Sequence, residues 1–266
     1  MLKILFYPSY PDKEFYAITH LINLNGYAAT RDLNDDFDVA FLWQDATKLN
    51  CPEELEQACG KRKIINQACV DISKRHVETL HQQVFGYGCA LDPTTAHGLG
   101  VEKPDANGVK GGKLVSLPLL APQADKVYQQ LIDSTVDGYQ QEYRVAIVFD
   151  EIASVCLVRQ QPATELLDHR EQLPPEPVAV QKVFSTQEQR LILSFCACIR
   201  LDFGELDIVR CRHSQRIYIL DANKTAAGYG MLNYFKWRAE DKKAVLKRIA
   251  ECFAHHIECF LHANKD

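Results

Sequence analysis

Among the ten cysteines of this 266-residue chain there is no C-x-x-C pair, so neither a zinc ribbon nor a thioredoxin-type motif has support. No apolar run approaches the roughly 20 residues that a transmembrane helix requires. The opening MLKILFYPSYPDKEF lacks the basic flank, long apolar stretch and small-residue cleavage site of a signal peptide, and reads as a first strand. A cytoplasmic protein with free thiols is the expectation. Also missing are an internal repeat, a low-complexity tract, a G-x-x-x-x-G-K-[ST] phosphate loop and a G-x-G-x-x-G after the first strand. A dinucleotide site near the N-terminus therefore has no motif behind it. A net charge of -5 argues against general affinity for nucleic acid or anionic membrane.

What is present is the composition of a soluble globular protein, 47% hydrophobic and 24% charged, with length enough for two compact lobes. Short apolar runs at 2–8, 38–43 and 63–66 alternate with helical patterns up to Leu24 and over 51–59. That spacing predicts a small parallel α/β lobe over residues 1–70. A helix over 72–84 follows, and then the character changes. Residues 98–118 read as strand, glycine-bearing loop and strand, and 126–132, 142–149 and 153–159 continue the strand pattern. Segment 160–182, with its LPPEP, reads as a long loop of the kind that carries function. A helix over 186–200, capped by Ser185 or Thr186, precedes strands at 204–210 and 216–222. A helix from about Glu240 to Ala263 closes the chain. The remainder, 71–266, divides at about residue 135 into two expected subdomains.

Three constellations carry candidate chemistry. Asp207 in GELDIVR and Asp221 and Asn223 in ILDAN lie on successive strands, and antiparallel pairing would bring the two aspartates together. The two-residue step places Asp221 and Asn223 on one side. Two carboxylates and an amide oxygen suit a hard divalent cation such as Mg²⁺. Asp and Asn also start turns, so this pair alone is as easily a turn; Asp207, inside an apolar strand, favours the metal. Lys103 ends a strand before DANGVKGGK, where glycines let backbone approach a phosphate, although a surface lysine beside a hairpin looks the same. In VYQQLIDSTVDGYQQEYRV, the backbone after Gln129, Gln130, Leu131 and Ile132 could meet an adenine edge. Asp133 or Glu142 could accept ribose hydroxyls, and Arg144 could clamp a phosphate or carboxylate. Charged residues at hairpin ends are common without such a role.

Taken together and in this order, the segments resemble the ATP-grasp superfamily over about residues 66–232. Lys103 and NGVKGG are similar to its lysine before a flexible glycine-rich loop. Lys74 in DISKRHV fits its earlier lysine, YQQLI its adenine hinge, EYR its acid–x–Arg, and Asp207 with DAN its metal pattern. The expected fold class is accordingly α/β (α+β), an ATP-grasp fold with a small N-terminal parallel α/β lobe. The resemblance implies ATP and Mg²⁺ as cofactors and a ligase joining a small-molecule or peptide carboxylate to an amine or thiol through an acylphosphate. It gives Asp207, Asp221 and Asn223 to the metal. Lys74 and Lys103 go to the phosphates, and Arg144 to the transferred group or the substrate carboxylate. Asp221 stands where the family usually has glutamate, and with the compact chain this motivates two alternatives: a non-catalytic nucleotide-binding partner, or a phosphotransferase. Lys224, directly after Asn223, has no role in the pattern. Cys252, His256 and Cys259 share a helical stripe, but Ile249, Phe253, Ile257 and Phe260 beside them explain that helix as an amphipathic one.

Overall fold

Alternating apolar runs and short helices near the N-terminus build a parallel sheet. Residues 1–11, 15–109, 111–162, 172–227 and 236–262 are described in this computed structural model. Strand β1 (Lys3–Pro8), helix α1 (Ala17–Leu24), strands β2 (Ala28–Thr30) and β3 (Val39–Trp43), helix α2 (Glu53–Cys59) and strand β4 (Ile64–Ile65) come first. The four strands are parallel in the order β2-β1-β3-β4. Every residue of β3 is buried, as expected of a parallel strand covered on both faces.

Helix α3 (Lys74–Phe85) starts on a Ser73 cap and ends where Gly86 turns left-handed at φ 76°. Strands β5 (Gly98–Pro104), β6 (Lys113–Leu117) and β7 (Lys126–Gln130) then form an antiparallel sheet ordered β6-β5-β7. A third sheet contains β8 (Thr135–Val136), β9 (Tyr139–Val148), β10 (Glu151–Gln160), β11 (Glu176–Val178), β12 (Phe203–Arg210) and β13 (Ile217–Asn223). Its path is β11-β10-β9-β12-β13, with β8 on β9. Helices α4 (Val180–Val183), α5 (Thr186–Ile199) and α6 (Ala239–His262) complete the chain. Ser185 begins α5 in a reciprocal capping box with Glu188.

The structure corrects one expectation. Segment 160–182 is not a single loop: β10 runs to Gln160, β11 pairs with it, and α4 follows. Residues 163–171 within it lie outside the described residues, as does Lys110 of the glycine-rich loop. All ten cysteines are free. No helix among the described residues is long and apolar enough to cross a membrane.

The two faces of the third sheet have different work. One face carries Val145, Ile147, Leu206, Ile208 and Ala222 into a core with α3 and α5. On the other, Ala146, Val148 and Phe203 join a core with β1, β3, α1 and α6. Further along that second face, the side chains turn polar.

Candidate nucleotide and metal site

Period-two alternation decides which residues share the polar half of that face. Arg144 of β9 is in register with Asp207 of β12, and Asp207 with Asp221 of β13, so the three form a row across the sheet. Glu205 lies two residues before Asp207, opposite Asn223, and Glu142 lies two residues before Arg144. One patch therefore holds Glu142, Arg144, Glu205, Asp207, Asp221 and Asn223. The DAN segment is strand throughout, not a turn. A register shift between Asp207 and Ile208 marks a bulge beside the row, of the kind that re-aims side chains next to sites.

Within the patch, Arg144 Nε is 2.7 Å from Glu142 Oε1, and its Nη1 is 3.0 Å from Glu205 Oε1 and 2.7 Å from Asp207 Oδ1. Lys74, buried at the start of α3, places Nζ 3.2 Å from Asp221 Oδ1 and donates to the Ala106 carbonyl at 2.9 Å. Four carboxylates thus share two cations. Burial pushes the Asp207 carboxyl well up, with Glu142, Glu205 and Asp221 adding to the rise against the pull of Arg144. Burial raises Glu205 as well. Burial opposes the charge on Arg144, yet Asp207, Glu142 and Glu205 hold its guanidinium well above the ordinary value. These rises are the cost of crowding four carboxylates around two cations, and a further cation would relieve it.

The donor set fits a hard metal ion. Glu205 Oε2, Asp207 Oδ1 and Asp221 Oδ1 are buried without a hydrogen bond; the contacts of the two aspartates to Arg144 and Lys74 are ion pairs without hydrogen-bond alignment. Asn223 Oδ1 accepts from Asn107 Nδ2 at 2.9 Å. All of these donors are oxygens, as Mg²⁺ prefers. The carboxylates do not close into a tight trio with all ligand atoms within 4.8 Å, since the one such group among the described residues lies elsewhere.

The glycine-rich loop reaches this patch. Asn107 also donates to the Ala222 carbonyl at 3.2 Å, and its own N–H donates to Thr47 Oγ1 at 2.9 Å. The Asp105 carbonyl and carboxylate accept from the backbone N–H groups of Lys74 and Arg75. Lys103, half-buried at the end of β5, forms no ion pair with the acids.

The hinge residues stand apart from the acidic row. Strand β7 ends at Gln130, leaving Leu131 exposed beyond it. Ile132 packs beside Cys89, Val209 and Tyr218. Gln129 is buried in register with Val101. The Gln130 N–H donates to the Cys89 carbonyl at 2.7 Å. Glu78 holds that neighbouring segment, accepting from the N–H groups of Cys89 and Ala90. Asp133 is occupied: Oδ2 is 2.7 Å from Arg212 Nε, and Oδ1 accepts from the Thr135 N–H at 3.0 Å. The Thr135 bond is the first of several that lower its carboxyl.

Solved structures share this arrangement of sheets. The ATP-grasp ligase PsnB complexed with a minimal precursor superposes at a TM-score of 0.60 and 14% identity, covering 96% of this chain and 98% of that one. The chain has the ATP-grasp fold. A macrocyclase, MdnC from Microcystis aeruginosa bound with its precursor peptide MdnA, gives a TM-score of 0.57 at 14% identity over 96% of this chain and 100% of that one. The D-alanine–D-alanine ligase of Bacillus anthracis gives 0.55 at 11% identity over 96% and 97%. No protein-family model and no curated protein sequence matches the chain. The compact length is shared with these ATP-grasp neighbours, which the chain spans almost end to end.

Three residues in and around these segments escape a reading by motif. Glu205 is legible in retrospect, since it shares a strand face with Asp207. Asn107 and Glu78 are not, because their partners lie far along the chain or in irregular backbone. Lys224 is fully buried, and among the described residues its Nζ donates to the Cys69 carbonyl at 3.5 Å. Burial lowers its pKa. It therefore sits beneath the row as a packed side chain rather than in it.

Proposed function

We propose that this protein is an ATP- and Mg²⁺-dependent ligase that activates a carboxylate and passes it to an amine or thiol. The single observation that carries the reading is the cross-strand row Arg144–Asp207–Asp221, with Lys74 at one end and Glu205 and Asn223 alongside, on an ATP-grasp fold. Structures of PsnB with ADP and Mg, and of PsnB and MdnC with precursor peptides, support nucleotide and peptide as the substrate classes. A peptide carboxylate is accordingly the first substrate to try.

Asp207, Asp221 and Asn223, with Glu205 beside them, are the residues to hold magnesium, which supplies neutralisation of phosphate charge. Lys74 and Lys103 bind phosphate oxygens as point charges. Arg144, fixed by three carboxylates, presents a rigid guanidinium to the transferred phosphoryl group or the substrate carboxylate. In the first half-reaction a carboxylate oxygen attacks the γ-phosphorus and ADP leaves. In the second the nucleophile attacks the acyl carbon and phosphate leaves. The loop after Lys103 excludes water from that acylphosphate. The hinge beyond Gln130 receives the adenine, and Glu142 is the better candidate for the ribose, because Arg212 and the Thr135 N–H take both Asp133 oxygens whereas Arg144 takes one oxygen of Glu142.

Calorimetry with ATP and Mg²⁺ tests the shared premise. Asp221→Ala should weaken Mg²⁺-dependent nucleotide binding at least about tenfold; unchanged affinity would remove the metal assignment. Release of ADP and phosphate across peptides, small carboxylates and amines then tests turnover. Tight ATP binding without release on any of them would favour the non-catalytic partner, a reading the Lys74–Asp221 ion pair also suits. Transfer to a hydroxyl alone would favour the phosphotransferase.

A further inference from the structure

One group of potential metal ligands lies outside the nucleotide site. Glu151 opens β10, and Cys252 and His256 stand four residues apart on α6, so both point to one side of that helix. Their ligand atoms all lie within 4.8 Å of one another, the one such trio of His, Cys, Asp or Glu among the described residues. The sequence offered Cys252 and His256 with Cys259. The fold leaves Cys259 exposed and supplies Glu151 from another element.

The orientation of each group matches what a metal site needs. His256 Nδ1 is 3.0 Å from Asp150 Oδ1, so a carboxylate can hold that nitrogen's proton and turn Nε2 inwards. Nε2 is 2.9 Å from Glu151 Oε2. Arg248 takes the other Glu151 oxygen at 2.7 Å, fixing the carboxylate and leaving Oε2 towards the trio. Cys252 is buried, and a thiol is not needed for a His–Glu ion pair; at this point it supplies a soft donor. A cavity of about 560 Å³ lined by Asp150, Ser154, Gln189 and Arg248 meets the trio at Glu151.

We propose that Glu151, Cys252 and His256 form a site for a borderline-soft divalent cation, Zn²⁺ above all, which ties the β9–β10 hairpin to α6. One sulfur, one nitrogen and one oxygen make three of four tetrahedral ligands, with water in the fourth place. On binding, the Cys252 thiol and the His256 Nε2–Glu151 Oε2 contact each give up their proton to solvent as the sulfur–metal and nitrogen–metal bonds form.

Titration of the metal-stripped full chain with Co²⁺ tests this. One equivalent should produce a thiolate-to-cobalt charge-transfer band, which Zn²⁺ displaces and excess Mg²⁺ does not. Cys252→Ser should abolish the band and Cys259→Ser should leave it. His256→Gln and Glu151→Gln should each weaken Co²⁺ at least about tenfold, and Asp150→Asn less, with the band kept. Absence of the band, or its survival in Cys252→Ser, would overturn the site. Circular dichroism establishes that each variant is folded. Should Cys252→Ser not fold, Glu151→Gln at its partly exposed position decides, and unchanged Co²⁺ affinity there would equally overturn the proposal.

Discussion

His81 of α3 shows how one residue sets a pH limit on the whole fold. It is fully buried, stacked at 4.3 Å on Phe85 and flanked by Tyr87 and Tyr218, and neither ring nitrogen has a hydrogen-bond partner. Burial lowers its pKa from 6.5 to about 4, against a small opposing pull from Glu78. The unfolded chain takes up a proton near pH 6.5 while the folded chain does not until near pH 4. Stability is therefore untouched above pH 6.5 and falls as the pH drops through that window. The loss attributable to His81 is about 3 kcal/mol by pH 4. His81→Leu, of similar volume, should remove that part of the acid dependence. Denaturant unfolding of both proteins between pH 7 and 4 checks it, and parallel curves would refute the assignment. Glu205 teaches the complementary lesson. Its position beside Asp207 follows from alternation along the strand, but its contact with Arg144 depends on strands 61 residues apart in sequence coming into register.

At the scale of elements, the sequence discloses apolar runs, even brief ones such as that of β4, and hides short strands that have none. Each of the main strands and helices falls within a few residues of its expected place, including the β12–β13 pair whose register puts Asp207 on Asp221. Strands β2, β8 and β11 have only two or three residues, too few for a period to show, and β11 lies in the segment that reads as a loop. Alternation also cannot show how closely two backbones approach. Gly204 of β12 is the instance: a Cβ there would stand 2.5 Å from the Asn223 carbonyl oxygen and 2.9 Å from Leu201 Cδ1. The glycine lets β13 lie close enough for Asn223 to sit beside Glu205. Gly204→Ala should push that carbonyl away at a cost of about 1–3 kcal/mol, and should weaken Mg²⁺-nucleotide binding in step. Thermal unfolding and calorimetry read the two effects separately. A lowered Tm with unaltered nucleotide affinity would mean that the displacement is absorbed away from Asn223.

At the scale of the whole molecule, the parallel sheet and the large antiparallel sheet are joined by a shared core and one polar clasp. Ile4, Phe6, Phe41, Trp43 and Ile65 of the first pack in one cluster with Val148, Phe203, Ile249 and Phe253. At its edge Asn66 takes a left-handed backbone, φ 60°, which asparagine tolerates better than most residues. Its Oδ1 accepts from the N–H groups of Asp202 at 2.8 Å and Phe203 at 3.0 Å. Its Nδ2 donates to the Phe203 carbonyl at 2.8 Å, and its own N–H donates to Asp202 Oδ2 at 2.6 Å. Removing the side chain strands two buried backbone groups of Phe203 and a part-buried N–H of Asp202, so Asn66→Ala should cost about 2–4 kcal/mol. The form of the loss is the sharper test. A common core makes the two sheets melt together, so the variant should show one calorimetric transition at lower temperature, with near- and far-ultraviolet signals lost in step. Two resolved transitions would mean that the clasp, rather than the apolar core, is what couples the sheets.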